Sequence, residues 1–341
     1  MVAESSLREA RLAAGLSQTR LADLAGVSRQ AIGAIESGRH RPSVDAALAI
    51  ARAVCRSVEE LFGPRDSGAV AVLGADVADG TPVLAARVGD RLVHVPADGH
   101  TPSESWPLAN AAMEDGRPRP FPGADLEGFV VVGCDPALGL AAALLSPSGP
   151  RRLVAVAGST AAALSALGAG RAHAALVHGP ADKLPRAPVD VVRLHVARWR
   201  VGLASRGARR AVGVRDVCRP GARVVQREAG ASSQQAFRRA VLREGAELPG
   251  GPVAAGHLDV ARRVVAGAQA GVTMEPAAVV YRLRFAALEE HAVELWIDAR
   301  WREHPAVERL HDVLGSAAFR ARVGLVGGYD LAASGARRGE R

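Results

Sequence analysis

Residues 17–37, SQTRLADLAGVSRQAIGAIES, decide how the amino end of this chain folds. Small or apolar residues fall at Leu21, Ala22, Leu24, Ala25, Val27, Ala31, Ile32 and Ile35, a spacing that gives two amphipathic helices broken at Gly26. Glycine there supplies the left-handed residue that ends the first helix, and Ser28 caps the second by accepting a bond from an amide two or three residues on. Ala22 and Gly26 leave room for close packing, so two short helices should cross at a steep angle. Further helices are expected at 6–14 and 43–54. A capping box, Ser57 with Glu60, opens a last one that closes the helical head near residue 63.

Ser17 to Ser37, with the flanking helices, resembles the Cro/C1-type (XRE) helix-turn-helix repressors over about residues 6–62. The resemblance implies that the second helix of the pair enters a DNA major groove and reads base edges while neighbouring residues hold phosphates. Carried over by position, Ser28, Arg29, Gln30 and Ala34 line the reading face: Arg29 for guanine, Gln30 for adenine or a phosphate, Ala34 for a thymine methyl. Gln18 matches the residue that grips backbone phosphate, Arg39 and Arg41 follow the reading helix to do the same, and Arg11 with Glu36 match a structural ion pair. Arg20 stands where the family commonly has the capping-box glutamate. A cation in a first helical turn opposes the macrodipole by about 0.3 kcal/mol or more, so Arg20 is read as kept for phosphate, with codon bias as the alternative. Gly33 and Ala34 replace larger polar residues, which leaves part of the selectivity to DNA shape. The alternative for the whole motif is a plain helical domain that uses this packing for protein contacts.

At 341 residues the chain exceeds one core, so two or more domains are expected. No apolar run of membrane-spanning length and no signal-peptide region appears, and the expectation is a cytoplasmic protein with no membrane partner. Cys55, Cys134 and Cys218 are isolated from one another, which suggests neither a disulfide nor zinc, and nothing implies a cofactor. The formal net charge is +8, but Lys183 is the only lysine, and that arginine-for-lysine bias looks like the product of a GC-rich coding sequence. Within 1–62 arginines and acids nearly balance. The motif, not the charge, argues for DNA.

Behind the head, 64–125 reads as a linker followed by a small β module of unknown role: AVAVLG at 69–74, then VLAARV and RLVHVP joined by Gly89-Asp90, then a Pro- and Gly-rich loop over 97–125. From 126 short apolar runs alternate with helical patterns, the signature of a mainly parallel sheet covered by helices. GFVVVGCDPAL at 128–138 is strand, turn and helix start, with Asp135 at the cap; 153–170 repeats that design with Ser159 as cap. VDVVRLHV and RWRVGLASRG read as separate strands leading into a second lobe. The segments GCDPAL, GST, AGRAHAALVHG, RVVQREAGASS, DVARRVVAGAQAGV and GGYDL, in that order, resemble the periplasmic-binding-protein-like domain over about 126–332. The expected fold class is therefore multidomain: an all-α helix-turn-helix (lambda-repressor-like) head on 1–63, then an α/β two-lobed domain on 126–332, with 333–341 as a disordered basic tail.

In open α/β sheets ligands bind beyond the carboxyl ends of strands, where helix amino termini present unpaired amides. Four turns fit: Cys134-Asp135, Ser159-Thr160, Ala231-Ser232-Ser233 and Met274-Glu275. Ser159, Thr160, Ser232 and Ser233 are the candidate contacts, against the alternative of ordinary caps. The resemblance raises molybdate, another oxyanion or a pterin-related ligand. Asp135 and Glu275 would repel an anion unless Arg227 neutralises them. The other arginines between 191 and 227 read as a solvated surface. His173, His178, His195 and His257 are scattered, without a catalytic order, and the chain is not expected to be an enzyme. The sequence thus points to a homodimeric regulator with two partners, a double-stranded DNA operator and a small-molecule effector. The alternatives are a repressor whose second domain only dimerises, and an enzyme or scaffold of cofactor biosynthesis with an autoregulatory head.

Overall fold

The computed structural model describes residues 6–37, 40–56, 58–62, 69–74, 77–97, 109–207 and 210–338, and divides the chain into two compact units, Met1–Ser67 and Gly68–Arg341. In the first unit the helices are α1 (Ser6–Ala13), α2 (Gln18–Ala25), α3 (Arg29–Glu36), α4 (Val44–Ala53) and α5 (Val58–Phe62). Gly26 ends α2 in the left-handed conformation, φ 67°, and Ser17, Ser28 and Ser43 each cap a helix by accepting an amide three residues on. Leu7, Leu21, Ile32 and Ile50 fill the centre of this small core. Ser57, half of the expected capping box, lies outside the described residues.

The second unit begins with β1 (Val70–Ala71), β2 (Pro82–Val88), β3 (Arg91–Pro96), β4 (Ala111–Glu114) and β5 (Arg117–Pro120), a sheet in the order β1-β3-β2-β4-β5. Gly89-Asp90 joins β2 to β3 as expected. The stretch expected as a loop over 97–125 instead contains the β4–β5 hairpin, turned at Asp115-Gly116, both with positive φ. One face of this sheet is not free: Leu84, Ala86, Val88, Val93 and Val95 share a core with Val130, Val132, Val154 and Val156 of the strands that follow.

Those strands belong to a larger sheet. Its elements are β6 (Phe129–Gly133), α6 (Ala137–Ala143), β7 (Leu153–Ala157), α7 (Thr160–Gly168), β8 (Ala174–Gly179) and β9 (Val191–Ser205). Then come α8 (Val214–Val217), β10 (Val224–Val225), α9 (Ser232–Arg243), α10 (His257–Val265), β11 (Ala270–Met274), α11 (Glu275–Val280) and β12 (Arg284–Asp298), and finally α12 (Pro305–Gly315), α13 (Ala317–Val326) and β13 (Arg337–Arg338). The strand order is β10-β11-β9-β12-β8-β6-β7, with β13 on β9. Pairings among β6, β7 and β8, and of β10 with β11, are parallel, as expected. The centre is not: β9 and β12 are 15-residue antiparallel strands that run through both lobes. The two strands read separately at 189–196 and 198–207 are one. Residues 333–338, expected in a disordered tail, fold back, with Ser334 buried and β13 paired to Leu194 and Arg193.

The β9–β12 ladder slips by one residue twice, at Leu288 on β12 and at Val196 on β9. Such bulges bend a strand and raise its local twist, and here they lie where the ladder passes from one lobe to the other. Gly202 in β9 faces the Ala286 backbone and the Phe285 ring so closely that no Cβ fits. Gly202→Ala should therefore destabilise the second unit by about 1–3 kcal/mol, read as a lower urea midpoint; an unchanged midpoint would mean that the two strands do not approach as described.

Candidate functional site

In the head, the Arg11 guanidinium donates to Glu36 through Nε (2.6 Å) and to the Leu16 carbonyl (2.8 Å), so the expected scaffold pair is present. Gln18, expected on phosphate, donates its amide to the same Glu36 at 2.8 Å and joins that scaffold. Burial would raise the Glu36 carboxyl; hydrogen bonds from Arg11 and Gln18 and the charges of Arg11 and Arg8 outweigh it and hold the pKa below the ordinary value. Arg20, Ser28, Arg29, Gln30 and Arg41 are exposed, and Ala34 is half-buried beside them on α3. Arg39 lies outside the described residues. With the Ser28 hydroxyl occupied as a cap, Arg29 and Gln30 are the long side chains at the free end of α3.

The second unit places the four predicted turns at the lobe-facing ends of its strands and gives them different tasks. Asp135 is tied into the fold. It is 2% exposed and accepts from the Ala137 amide (2.9 Å), Trp199 Nε1 (2.7 Å) and Tyr329 hydroxyl (2.7 Å), three neutral donors, and burial pushes its carboxyl above the ordinary value against them. Glu275 is likewise taken, by a two-pronged pair with Arg200 of β9. Ser159 caps α7 through the Ala162 amide, and Thr160 Oγ1 accepts from the His178 amide at 3.3 Å. Both hydroxyls accept in these bonds and keep their own O–H to donate.

Arg227 is different. It is 2% exposed, yet its Nε and Nη1 find no partner among the described residues. Of the other described arginines of this stretch, Arg193 and Arg198 are half-buried and the rest exposed, and several are paired, Arg198 with Glu290, Arg210 with Asp216 and Arg215 with Glu244. A guanidinium stays charged at any ordinary pH, and burying it without a counter-charge costs several kcal/mol. The backbone around it is nevertheless well fixed, since Gln234 accepts from the Arg227 amide (3.0 Å) and donates to Gln226 (2.6 Å).

Two further orphaned groups lie in the same wall. Ser233 Oγ, fully buried, and His257 Nε2, in a residue 1% exposed, also lack partners among the described residues. His257 Nδ1 accepts from the Met274 amide at 3.2 Å, so in the neutral ring the proton sits on Nε2 and that atom is a donor. Ser233 stands in the first turn of α9, whose cap position is Ala231 and offers no side-chain acceptor, so the helix also presents unpaired amides there. Ser232, at the first position of α9, is half-buried. Sequence reasoning placed Ser233 and Arg227 here and missed His257, because nothing in HLDVARR marks its imidazole as facing the other lobe.

Next to these groups runs a chain of buried rings. Cys134 Sγ lies 3.3 Å from His178 Nε2, His178 Nδ1 lies 2.9 Å from His291 Nδ1, and His291 Nε2 lies 3.4 Å from Glu289, which Arg239 holds through two bonds. Desolvation first, then neighbouring positive charge, keeps His178 and His257 well below their ordinary value, and burial brings His291 to about 4 despite Glu289. Cys134 does not have the lowered pKa that its place before a helix suggests: burial pushes the thiol up to about 11, against the pull of Arg227.

Comparisons with known proteins follow the same division. A helix-turn-helix family model matches residues 7–61, and a PBP superfamily domain model matches 142–315. An HTH-type transcriptional regulator of Methanothermobacter thermautotrophicus is 45% identical over 64 residues, 18% of this chain and 93% of that protein. The restriction-modification controller protein C.AhdI of Aeromonas hydrophila is 42% identical, covering 17% of this chain and 86% of its own, at a TM-score of 0.16. The ancestral amino acid-binding protein AncCDT-1 covers 57% of this chain and 93% of its own at 15% identity and a TM-score of 0.42. Among the described residues no helix is long and apolar enough to cross a membrane.

The Glu36 cluster yields a prediction. Because its folded pKa is depressed, the pair contributes stability above the unfolded carboxylate value and loses it as pH falls through the folded one. Glu36→Ala should cost the head about 3–5 kcal/mol at neutral pH, and acid should weaken the wild-type head while leaving a Glu36→Gln head less affected, both followed by helical circular dichroism. Equal acid sensitivity in the two would remove Glu36 as the titrating group.

Proposed function

We propose, from the premise that the chain belongs to the PBP superfamily and carries a helix-turn-helix head of the transcriptional-regulator type, that it is a cytoplasmic regulator whose operator affinity responds to a small anion held between the two lobes. The observation that carries the effector half of this reading is Arg227, a buried cation whose Nε and Nη1 find no partner among the described residues. Its neighbours Ser233 and His257 offer donors, Glu275 is neutralised by Arg200, and Asp135 is held by neutral donors. An oxyanion of the molybdate type, or the carboxylate or oxo group of a pterin-related compound, meets that set of donors. A homodimer would place two α3 helices on the half-sites of an operator. The effector changes DNA affinity only to the extent that it prefers one arrangement of the protein.

On DNA, Arg29→Ala should relax base preference, whereas Arg41→Ala should weaken all sequences alike and lower the salt slope by about 0.9 for the phosphate lost. Gel-shift titration over the protein's own upstream region checks both, and equal affinity for random DNA would remove the regulator reading. For the effector, a thermal-shift screen of oxyanions, carboxylates and pterins is the direct measurement. A ligand at about 100 times its Kd adds about 2.7 kcal/mol, and the gain should vanish in Arg227→Gln. A panel that moves neither protein would leave the second unit without a sensing role.

A further inference from the structure

We propose that Cys134, His178 and His257 form a binding site for a zinc-type d-block cation that fastens the two lobes to each other. One ligand atom from each of the three lies within 4.8 Å of the other two, although 44 residues separate Cys134 from His178 and a further lobe separates both from His257. Cys134 follows β6 and His178 belongs to β8, both in the first lobe, while His257 opens α10 in the second. The cation would thus bridge the cleft that the ladder of β9 and β12 spans.

The chemistry of the donors selects the ion. One sulfur and two imidazoles suit zinc, cobalt(II) or copper, not magnesium or calcium, which take oxygen ligands. With Zn–S about 2.3 Å and Zn–N about 2.0–2.1 Å, a tetrahedral site has sulfur–nitrogen edges of about 3.5 Å. The Cys134 Sγ to His178 Nε2 separation is already 3.3 Å. Three protein ligands leave the fourth position open.

The hydrogen-bond chain behind His178 fixes which of its nitrogens faces the sulfur. Glu289, paired with Arg239, only accepts, so His291 Nε2 carries a proton and His291 Nδ1 is an acceptor. His178 Nδ1 must then carry the proton in the 2.9 Å contact, which leaves the lone pair of His178 Nε2 directed at Cys134. A carboxylate that orients a ligand imidazole in this way is the usual support behind a metal-bound histidine. Here it acts through one intervening ring. At His257, Nε2 has no partner among the described residues; when it ligates, the ring proton moves to Nδ1, where Thr273 Oγ1 lies 3.3 Å away to accept it, and the Met274 amide gives up its bond to that nitrogen. Cys134 is half-buried, which leaves a way in.

Binding releases the thiol proton to solvent, because the ligand is the thiolate. Cation and thiolate together still add one positive charge beside Arg227. The cation takes the His257 Nε2 lone pair, whereas the anion would use that atom as an N–H donor, so cation and anion compete for this ring. The cation site itself does not depend on the anion reading.

The test uses reduced, chelator-treated, full-length protein and cobalt(II) chloride. One equivalent should give the near-ultraviolet thiolate-to-cobalt charge-transfer absorption, and zinc should abolish it by displacement. Cys134→Ser, a one-atom change, should lose the band while Cys55 and Cys218 remain. His257→Gln should weaken binding at least tenfold. His291→Gln, which removes no ligand, should weaken it about 10–100-fold. Far-ultraviolet circular dichroism of each variant establishes that it is folded. Absence of the band in the wild type, its persistence in Cys134→Ser, or equal zinc affinity of those two proteins would overturn the proposal. DNA binding and the anion screen are read separately in chelator-containing buffer, so this failure is distinct from theirs.

Discussion

The antiparallel pairing of β9 with β12 is the constraint on which the second unit rests. Fourteen partnered positions tie the strands together, and because each strand serves both lobes, neither lobe's sheet is complete without them. Every group of the cleft is placed relative to this ladder. Trp199 on β9 fixes Asp135, and Arg200, its neighbour on the strand, takes Glu275. His291 and Glu289 on β12 orient His178. The two one-residue slips let the ladder turn as it crosses between the lobes, so a change of lobe angle would be felt first at these residues.

That arrangement gives each of these acids a partner. Asp135 faces three donors, Glu275 faces Arg200, and Glu289 faces Arg239. Without a partner among the described residues are Nε and Nη1 of Arg227, Nε2 of His257 and the Ser233 hydroxyl. A protein optimised for stability alone would not keep such a set, since an apolar residue in place of an unpaired buried charge is favoured by several kcal/mol. Groups of this kind are concentrated at functional sites, where they are satisfied only when a ligand arrives.

The head was legible almost residue by residue, because its signals are local. Gly26, Ser28 and the apolar spacing of Leu21, Ala25, Ile32 and Ile35 each act within one helical turn. The bond from Gln18 to Glu36 was not legible, because its partner lies 18 residues away. The parallel strands were legible too, since FVVVG and AALVHG are buried on both faces and read as apolar runs. β12 was not. Its first half, RFAALEEH, is rich in good helix formers, and only pairing with β9 holds it extended. The cleft was half-visible: strand-end turns marked Ser233 and Asp135, but that Asp135 would be consumed by Trp199 and Tyr329, 64 and 194 residues distant, is a property of the fold. The same distance concealed the meeting of Cys134, His178 and His257.

Arg227 should be held at a cost to the unliganded protein, and urea denaturation of wild type and Arg227→Met, in buffer free of oxyanions and carboxylates, measures that cost. The methionine variant should be the more stable, by about 1–4 kcal/mol at unchanged m. A variant less stable than wild type would mean that Arg227 already has its counter-charge and that no anion is needed to complete the site.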